Sequence, residues 1–280
     1  MQQIDEREHT ASRPTIAYVR RDGSSDETVL LLHGVGSSAS TWHALLPLLD
    51  ERYTVIAPDY RGHGASESPE VPYELDDFVA DVVRLLDELG LDRVHIVGFS
   101  IGAIFGEALA IAHPDRVAAL VLLNSIGGRT PEEARRALER LAVIRSTPPA
   151  EGAAASAVRW FTPEFRAAHP DEVAAEVAIV SATPHAPYAA SYEVLATTDL
   201  IDRVDEIVSP VLLVTGENDV GSTPRMSRAV HERLPGSHLV VVDGLQHYLH
   251  VEVAPRIADL VNDFLGSHPA HHPTASPRRK

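Results

Sequence analysis

The pentapeptide Gly98-Phe99-Ser100-Ile101-Gly102 sets a hydroxyl side chain between two glycines. Residues 92–97 before it have the pattern of a buried strand, and residues 101–113, whose apolar side chains recur at helical spacing, follow it. A G-x-S-x-G between a strand and a helix is typical of a nucleophile elbow, in which the serine lies at a strained turn of the backbone. This context favours a nucleophilic Ser100 over the alternative, a serine that only caps the following helix.

A serine hydroxyl becomes a nucleophile when a base takes its proton and a carboxylate orients that base. Two later apolar segments end in such groups: residues 211–215 lead to Asp219, and residues 238–242 lead to His247. The carboxyl ends of parallel strands meet at one edge of a sheet, so both side chains are expected near Ser100. Three residues in the order serine, acid, histidine, each after its own strand, predict a catalytic triad.

Nearby residues offer alternatives for the base and the acid. His250 lies three residues beyond the predicted base, but it follows its strand less directly. Asp243 stands at a strand end, where a turn role is favoured, and Glu217 lies nearer its strand than Asp219 does. The strand before residue 126 ends at Asn124, whose amide cannot supply a negative charge. These comparisons favour Asp219 as the acid.

The oxyanion that forms when the serine attacks a carbonyl carbon needs hydrogen-bond donors. A strand leads into a glycine-rich turn at residues 33–38, which is expected beside the elbow. One amide is expected from Ile101, directly after the nucleophile, and we assign the second to Val35. His33 and His63 lie in loops of this region, and a structural role in shaping those loops is favoured over a catalytic one.

The elements that must position these residues alternate between strands and helices. Strand patterns cover residues 15–20, 28–33, 53–57, 92–97, 117–124, 211–215 and 238–242. Helical patterns cover residues 40–49, 75–89, 101–113, 224–234 and 251–265. Such apolar strands, separated by helices, predict an α/β fold with a mostly parallel central sheet covered by helices on both faces.

The alternation stops between residues 126 and 205. This stretch has no strand pattern, and its Ala- and Arg-rich helical segments are separated by prolines. It is predicted to form a helical cap, inserted into a core made of residues 14–125 and 206–266.

Both ends of the chain are polar, and residues 1–13 and 267–280 are predicted to be disordered tails. The C-terminal tail carries histidines that could bind a metal ion, although a disordered tail is the favoured interpretation. These histidines are His268, His271 and His272.

The composition is ordinary for a globular enzyme, since 44% of the 280 residues are hydrophobic and 23% are charged. A net charge of −16 argues against nucleic acids and anionic membranes as partners, because both would be repelled. Without cysteine there are no disulfides and no thiolate chemistry. No signal peptide and no apolar run of membrane-spanning length is found, which predicts a cytoplasmic protein. A monomer or small homo-oligomer is predicted as its state of assembly.

Five motifs together resemble the serine α/β-hydrolase superfamily over roughly residues 14–266. They are His33-Gly34-Val35-Gly36 with Trp42, Asp59-Tyr60-Arg61-Gly62-His63-Gly64-Ala65-Ser66, Gly98-Phe99-Ser100-Ile101-Gly102, Gly216-Glu217-Asn218-Asp219 and Gly244-Leu245-Gln246-His247. In the cap, residues 159–166 and 187–192 resemble 3-oxoadipate enol-lactonases. The chain departs from those lactonases at Ile101 and Ala103, where they commonly have Met and Gly, and it lacks their Gly near Tyr188.

The resemblance implies an α/β-hydrolase fold and a carboxylic ester hydrolase or lactonase (EC 3.1.1 type) that needs no metal or organic cofactor. Its small-molecule ester or lactone would be attacked by Ser100, and water activated by His247 would release the acyl group. An enol-lactone of this class carries a carboxylate, which requires a local basic group in a chain of charge −16. The candidates for this group are Arg129, Arg159 and Arg225.

Trp160 is expected either to line the acyl pocket or to anchor the cap to the core. Two other functions stay open: a cofactor-free perhydrolase of the haloperoxidase-like kind, and a non-catalytic ligand-binding protein on the hydrolase scaffold. A complete triad argues against the second, because binding needs no nucleophile. Dehalogenase and epoxide-hydrolase chemistry is disfavoured, because those relatives place Asp where this chain has Ser100.

Overall fold

The computed structural model describes residues 6–270 and has an eight-stranded sheet at its centre. The strands are β1 (Glu8–His9), β2 (Ala17–Arg21), β3 (Thr28–Leu32), β4 (Thr54–Pro58), β5 (Val94–Phe99), β6 (Val117–Leu123), β7 (Val211–Gly216) and β8 (His238–Val242). Their order is β1-β2-β4-β3-β5-β6-β7-β8. The pairs β1–β2 and β2–β4 are antiparallel and all the others are parallel, which confirms the predicted mostly parallel sheet.

Helices cover both faces of this sheet and form the segment between β6 and β7. They are α1 (Leu75–Glu88), α2 (Ile101–Ala112), α3 (Pro131–Ser146), α4 (Pro149–Trp160), α5 (Pro163–Ala168), α6 (Pro170–Ala182), α7 (His185–Thr197), α8 (Pro224–Arg233), α9 (Leu249–Glu252) and α10 (Ala254–Gly266). The helix predicted over residues 40–49 is instead two short 3-10 helices, Ala39–His43 and Leu46–Leu48. Pro47 has no N–H to donate, so the hydrogen-bond ladder of an α-helix cannot pass through it.

The core lies in two layers, one on each face of the sheet. Successive side chains of a strand point to opposite faces, so Leu30 and Leu32 of β3 pack with α1 and α2, while Val29 and Leu31 pack with α10. All five residues of β3 and all seven of β6 are buried, as strands covered on both faces must be. This packing fixes the edge of the sheet at which the strands end.

Five helices, α3–α7, occupy the segment predicted to form the cap. They follow β6, and the chain returns to the sheet at β7. No strand lies between residues 126 and 205, all of which the structure describes. Prolines begin four of the five helices, where their missing N–H costs no helical hydrogen bond.

The described parts of both tails are ordered, in contrast to the prediction. Glu8–His9 pairs with Ala17–Tyr18, and the backbone N–H groups of Ala11 and Ser12 donate to the Glu88 carboxylate at 2.8 and 3.0 Å. At the other end the N–H of Ala270 donates to Glu27 Oε1 at 2.7 Å. Backbone hydrogen bonds to β2, to Glu88 of α1 and to Glu27 supply the order that tail composition did not indicate.

Of the tail histidines, only His268 can be described: its imidazole hydrogen-bonds the Phe264 carbonyl at 2.8 Å. His271 and His272 lie outside the described residues. Within residues 6–270 no group of three or more His, Cys, Asp or Glu side chains could hold a metal ion. In the same range no helix is long and apolar enough to cross a membrane.

Candidate active site

Ser100 lies at the sharp turn between β5 and α2, with φ of 56° and ψ of −115°. A non-glycine residue rarely adopts a positive φ, so this turn stores strain at the serine. The flanking glycines are required by close approach: a Cβ on Gly98 would lie 2.4 Å from the carbonyl oxygen of Gly102. A Cβ on Gly102 would lie 2.1 Å from the carbonyl oxygen of Leu32. The glycines therefore allow β5, α2 and β3 to pack tightly around the serine.

The Ser100 hydroxyl is not used as a helix cap. Within the described chain its side chain makes no capping hydrogen bond to α2, and it lines a cavity of about 350 Å³ between the sheet edge and the cap helices. The residue is only 4% exposed, so its hydroxyl is shielded from bulk water. Strain without a capping role favours a chemical function for this side chain.

Asp219 and His247 lie in the loops after β7 and β8 and line the same cavity. His247 Nδ1 and Asp219 Oδ2 are 2.6 Å apart, which is a short charge-assisted hydrogen bond. The His247 ring also packs on Phe99, the residue before Ser100, with centroids 4.8 Å apart. The structure thus brings together all three residues that the sequence predicted as a triad.

The Asp219 carboxylate accepts three further hydrogen bonds. Its Oδ1 accepts from the N–H groups of Gly221 (2.9 Å) and Ser222 (3.0 Å), and its Oδ2 accepts from Asn124 Nδ2 (2.7 Å). Burial alone raises the pKa of this carboxyl, but the His247 imidazole and the two amides outweigh burial and lower it. Asp219 is therefore a buried anion that holds the proton of His247 on Nδ1 and leaves Nε2 as a proton acceptor.

Two histidines hold the glycine-rich turn that carries Val35. His63 Nε2 accepts the Gly36 N–H at 3.1 Å while its Nδ1 donates to the Arg61 carbonyl at 3.0 Å. His33 Nδ1 donates to the Gly34 carbonyl at 2.7 Å, and its Nε2 accepts the Tyr60 N–H at 3.2 Å. Burial lowers the pKa of both histidines, so each stays neutral with one donating and one accepting nitrogen. These contacts support the predicted structural role of both residues.

The two predicted oxyanion donors belong to the turn after β3 and to the start of α2. Val35 lines the cavity, in the turn that follows β3. Ile101 is the first residue of α2, and the first N–H groups of a helix have no intrahelical acceptor. Both backbone amides are thus placed at the end of the sheet where Ser100 lies.

The alternatives weighed from sequence are engaged elsewhere. Asp243 and Glu217 are exposed, and the Glu217 carboxylate accepts the Gly244 N–H at 2.8 Å. His250 is fully buried away from the cavity, with Nε2 2.9 Å from Thr41 Oγ1. Asn124 has a role that the sequence did not reveal, because its amide donates to the Asp219 carboxylate.

The basic candidates differ in how their guanidinium groups are used. Arg129 lines the cavity, but it donates to the carbonyls of Leu195 and Thr198, both at 2.6 Å. Arg225 forms an ion pair with Glu133. Arg159 also lines the cavity, and it donates to the Ser156 hydroxyl rather than to a carboxylate.

Trp160 combines the two roles considered for it. It lines the cavity and stacks on Tyr248 with ring centroids 5.0 Å apart. Its carbonyl accepts the N–H groups of His247 and Tyr248 at 3.1 and 2.9 Å. The end of α4 therefore fixes the loop that carries the catalytic histidine candidate.

Known hydrolases resemble this chain in sequence and in fold. The chain is 32% identical over 234 residues to 3-oxoadipate enol-lactonase 2 of Acinetobacter baylyi, covering 82% of this chain and 85% of that protein. A crystal structure of a hydrolase from Pseudomonas aeruginosa PA01 superposes with a TM-score of 0.86 at 30% identity, covering 94% of this chain and all of that one. The enol-lactonase from Burkholderia xenovorans LB400 superposes with a TM-score of 0.81 at 27% identity, covering 92% and 100%.

The family model for the alpha/beta hydrolase fold matches residues 27–254, which include the elbow, the cap and the loops after β7 and β8. That range covers most of the chain and includes Ser100, Asp219 and His247. The chain therefore belongs to the alpha/beta hydrolase fold family.

Proposed function

We propose that this protein is a serine hydrolase that cleaves a small lactone or carboxylic ester through an acyl-enzyme on Ser100. The observation that carries the proposal is the Asp219–His247 pair, 2.6 Å apart, which lines the same cavity as a strained serine. A structural serine at this turn would need neither the strain nor a buried, oriented imidazole.

In the proposed reaction, His247 Nε2 takes the hydroxyl proton as Ser100 Oγ bonds to the substrate carbonyl carbon. The oxyanion accepts hydrogen bonds from the amides of Val35 and Ile101. Collapse of the intermediate breaks the bond to the alkoxy or enol oxygen, which receives the proton from His247. Water then repeats the sequence on the acyl-enzyme, with His247 as base, and releases the acid and Ser100. Asp219 keeps the imidazole in the required tautomer and stabilises its cationic form.

We further propose a lactone such as a 3-oxoadipate enol-lactone, or a similar carboxylated lactone, as the substrate. The relative from Acinetobacter baylyi and the structure from Burkholderia xenovorans support this choice, since both are named enol-lactonases. The cavity of about 350 Å³ lies at the small end of ligand pockets and suits a small substrate. A cytoplasmic location and the oligomeric state stay predictions.

A substrate screen with a nucleophile control tests the proposal. The wild type is assayed on enol-lactones, γ-lactones and short p-nitrophenyl esters, and Ser100→Ala is expected to abolish turnover with an unchanged melting temperature. Ser227→Ala is the matched control, because Ser227 is a buried serine of α8 outside the cavity. A fluorophosphonate probe should label wild type at Ser100. Equal turnover in wild type and Ser100→Ala would refute the assignment.

The same variants separate hydrolysis from the other functions considered. A perhydrolase forms peracid from a carboxylic acid and hydrogen peroxide faster than it hydrolyses esters. A binding protein retains ligand affinity but reacts with neither substrate nor probe. Labelling of Ser100 together with hydrolysis above perhydrolysis supports the proposed function.

A further inference from the structure

Two arginines of the cap face the cavity and share one hydroxyl. Arg140 of α3 and Arg159 of α4 both line the cavity and donate to Ser156 Oγ, at 3.0 and 2.8 Å. Ser156 Oγ is in turn 3.2 Å from the Gly152 carbonyl, so its own proton is directed away from the arginines. One small hydroxyl therefore holds two guanidinium groups at a common point.

This pair has no carboxylate partner within residues 6–270. The other charged groups of the cavity lining are matched: Arg136 pairs with Glu132, Glu133 pairs with Arg225, and Asp219 pairs with His247. Arg129 is held by two carbonyls near Asp199. Among the described residues that line the cavity, only Arg140 and Arg159 leave positive charge uncompensated.

Neighbouring groups do not neutralise that charge. Tyr188 and Tyr192 line the cavity beside the pair, but burial raises the pKa of Tyr192 to about 12 and also raises that of Tyr188, so both phenols stay neutral. Burial, and after it the charge of Arg140, lowers the pKa of the Arg159 guanidinium. Two half-buried like charges at one hydroxyl are costly unless an anion joins them, and the protein as a whole has a net charge of −16.

We infer that Arg140 and Arg159 form an anion subsite, which binds a carboxylate carried by the acyl part of the substrate away from the scissile carbonyl. Guanidinium groups present paired N–H donors that match a carboxylate, and a partly desolvated site strengthens the contact. The inference rests on the proposed function and goes further, because it selects among esters and lactones those whose acyl group ends in a carboxylate. It also assigns Arg140, which no sequence motif indicated.

A matched pair of substrates tests the subsite through specificity. The p-nitrophenyl monoesters of glutaric and adipic acid are compared with p-nitrophenyl valerate and hexanoate, in which a methyl group replaces the acid. Hydrogen bonds between charged groups imply a loss of about 10- to 100-fold in kcat/KM per arginine. Arg159→Met and Arg140→Met should lose this much on the acid esters and change little on the neutral ones.

Arg145→Met is the control, because Arg145 lies on the same helix α3 but pairs with Glu193 and does not line the cavity. It removes the same charge and should leave the ratio of acid to neutral turnover unchanged. An unchanged ratio in both Arg140→Met and Arg159→Met overturns the inference. An equal fall in Arg145→Met also overturns it, since the effect would then be the general field of the cap.

A binding measurement separates failure of the subsite from failure of the proposed function. Adipate and glutarate are titrated into Ser100→Ala protein by calorimetry, with inorganic phosphate as the comparison anion. Dicarboxylate binding that Arg159→Met removes supports the subsite even if no ester is hydrolysed. Absence of dicarboxylate binding, or binding of phosphate alone, overturns the carboxylate assignment whatever the outcome for Ser100.

Discussion

Replacing Asp219 by Asn tests how the carboxylate controls the proton of His247. The two oxygens face different donors: Oδ1 faces the amides of Gly221 and Ser222, and Oδ2 faces His247 Nδ1 and Asn124 Nδ2. An Asn side chain has one oxygen and one NH₂ group. Whichever way it is turned, its NH₂ group meets two groups that act as donors in the wild type.

The surrounding hydrogen-bond partners determine the orientation of the side-chain amide in Asp219→Asn. The two backbone amides can only donate, so the variant side chain must keep its oxygen toward them. Asn124 can adapt, because its own Oδ1 has no hydrogen-bond partner among the described residues and would accept after a 180° flip. His247 can adapt by moving its proton from Nδ1 to Nε2. In Asp219→Asn the histidine therefore loses the lone pair that accepts the Ser100 proton.

The expected cost falls on catalysis rather than on folding. All four hydrogen bonds persist in neutral form, so the free energy of unfolding should drop by only about 1–2 kcal/mol. The wrong tautomer should lower kcat by about 10⁴-fold, or roughly 5 kcal/mol in the barrier. Initial rates on the best ester or lactone of the screen measure the loss in kcat. Chemical denaturation measures the change in the free energy of unfolding. Histidine ¹⁵N NMR shifts report the tautomer directly.

Two neighbouring acids provide controls for this variant. Asp243→Asn and Glu217→Gln change exposed carboxylates of the adjoining loops and should stay within about twofold of wild type. A kcat for Asp219→Asn within tenfold of wild type would refute the reasoning. So would a 10⁴-fold loss with the proton still on Nδ1 of His247, because the loss would then have another cause.

Three further variants test separate parts of the site and cap. Asn124→Asp sets a second carboxyl 2.7 Å from Asp219 Oδ2. Because the two carboxyls cannot both stay ionised, the pair takes up a proton at a higher pH, and the acid limb of the kcat/KM profile should move to higher pH. An unmoved limb contradicts this. His63→Ala removes the acceptor of the Gly36 N–H and should lower kcat by up to about 100-fold with a smaller change in KM, as steady-state kinetics would show. Burial raises the pKa of Glu176 to about 7 from 4.5, so wild type loses stability as pH rises between these values. In urea unfolding, the free energy of unfolding of Glu176→Gln should exceed that of wild type by roughly 3 kcal/mol at pH 8 and by little at pH 4.5. A difference that stays constant with pH would count against a buried, neutral carboxyl.

The sheet and the placement of the candidate triad could be predicted from the sequence because their signals are local. Strand β8 was predicted with the bounds that it has, and the elbow follows from close approaches that exclude a side chain at Gly98 and Gly102. The position of Asp219 and His247 then follows from topology, since neighbouring parallel strands end at the same edge. Each of these inferences needs only the pattern of a few adjacent residues.

Contacts between distant segments could not be predicted in the same way. Arg140 lies in a helix of many charged residues, and only the folded cap shows that it meets Arg159 at Ser156. Asn124 was considered only as a missing acid, although its amide orients the acid that is present. Pro47 indicates that an α-helix must stop, but not that two 3-10 helices replace it.

The cap joins substrate recognition to catalysis through two consecutive residues. Arg159 faces the anion subsite, and the carbonyl of Trp160 holds the N–H groups of His247 and Tyr248. A carboxylate bound at Arg159 restrains the last turn of α4, and that restraint reaches the loop that carries His247. Binding energy from a remote group then favours the reactive geometry, which raises kcat as well as lowering KM. Acid esters should therefore exceed their neutral counterparts in kcat, and Arg159→Met should remove that excess more completely than Arg140→Met, because only Arg159 adjoins Trp160.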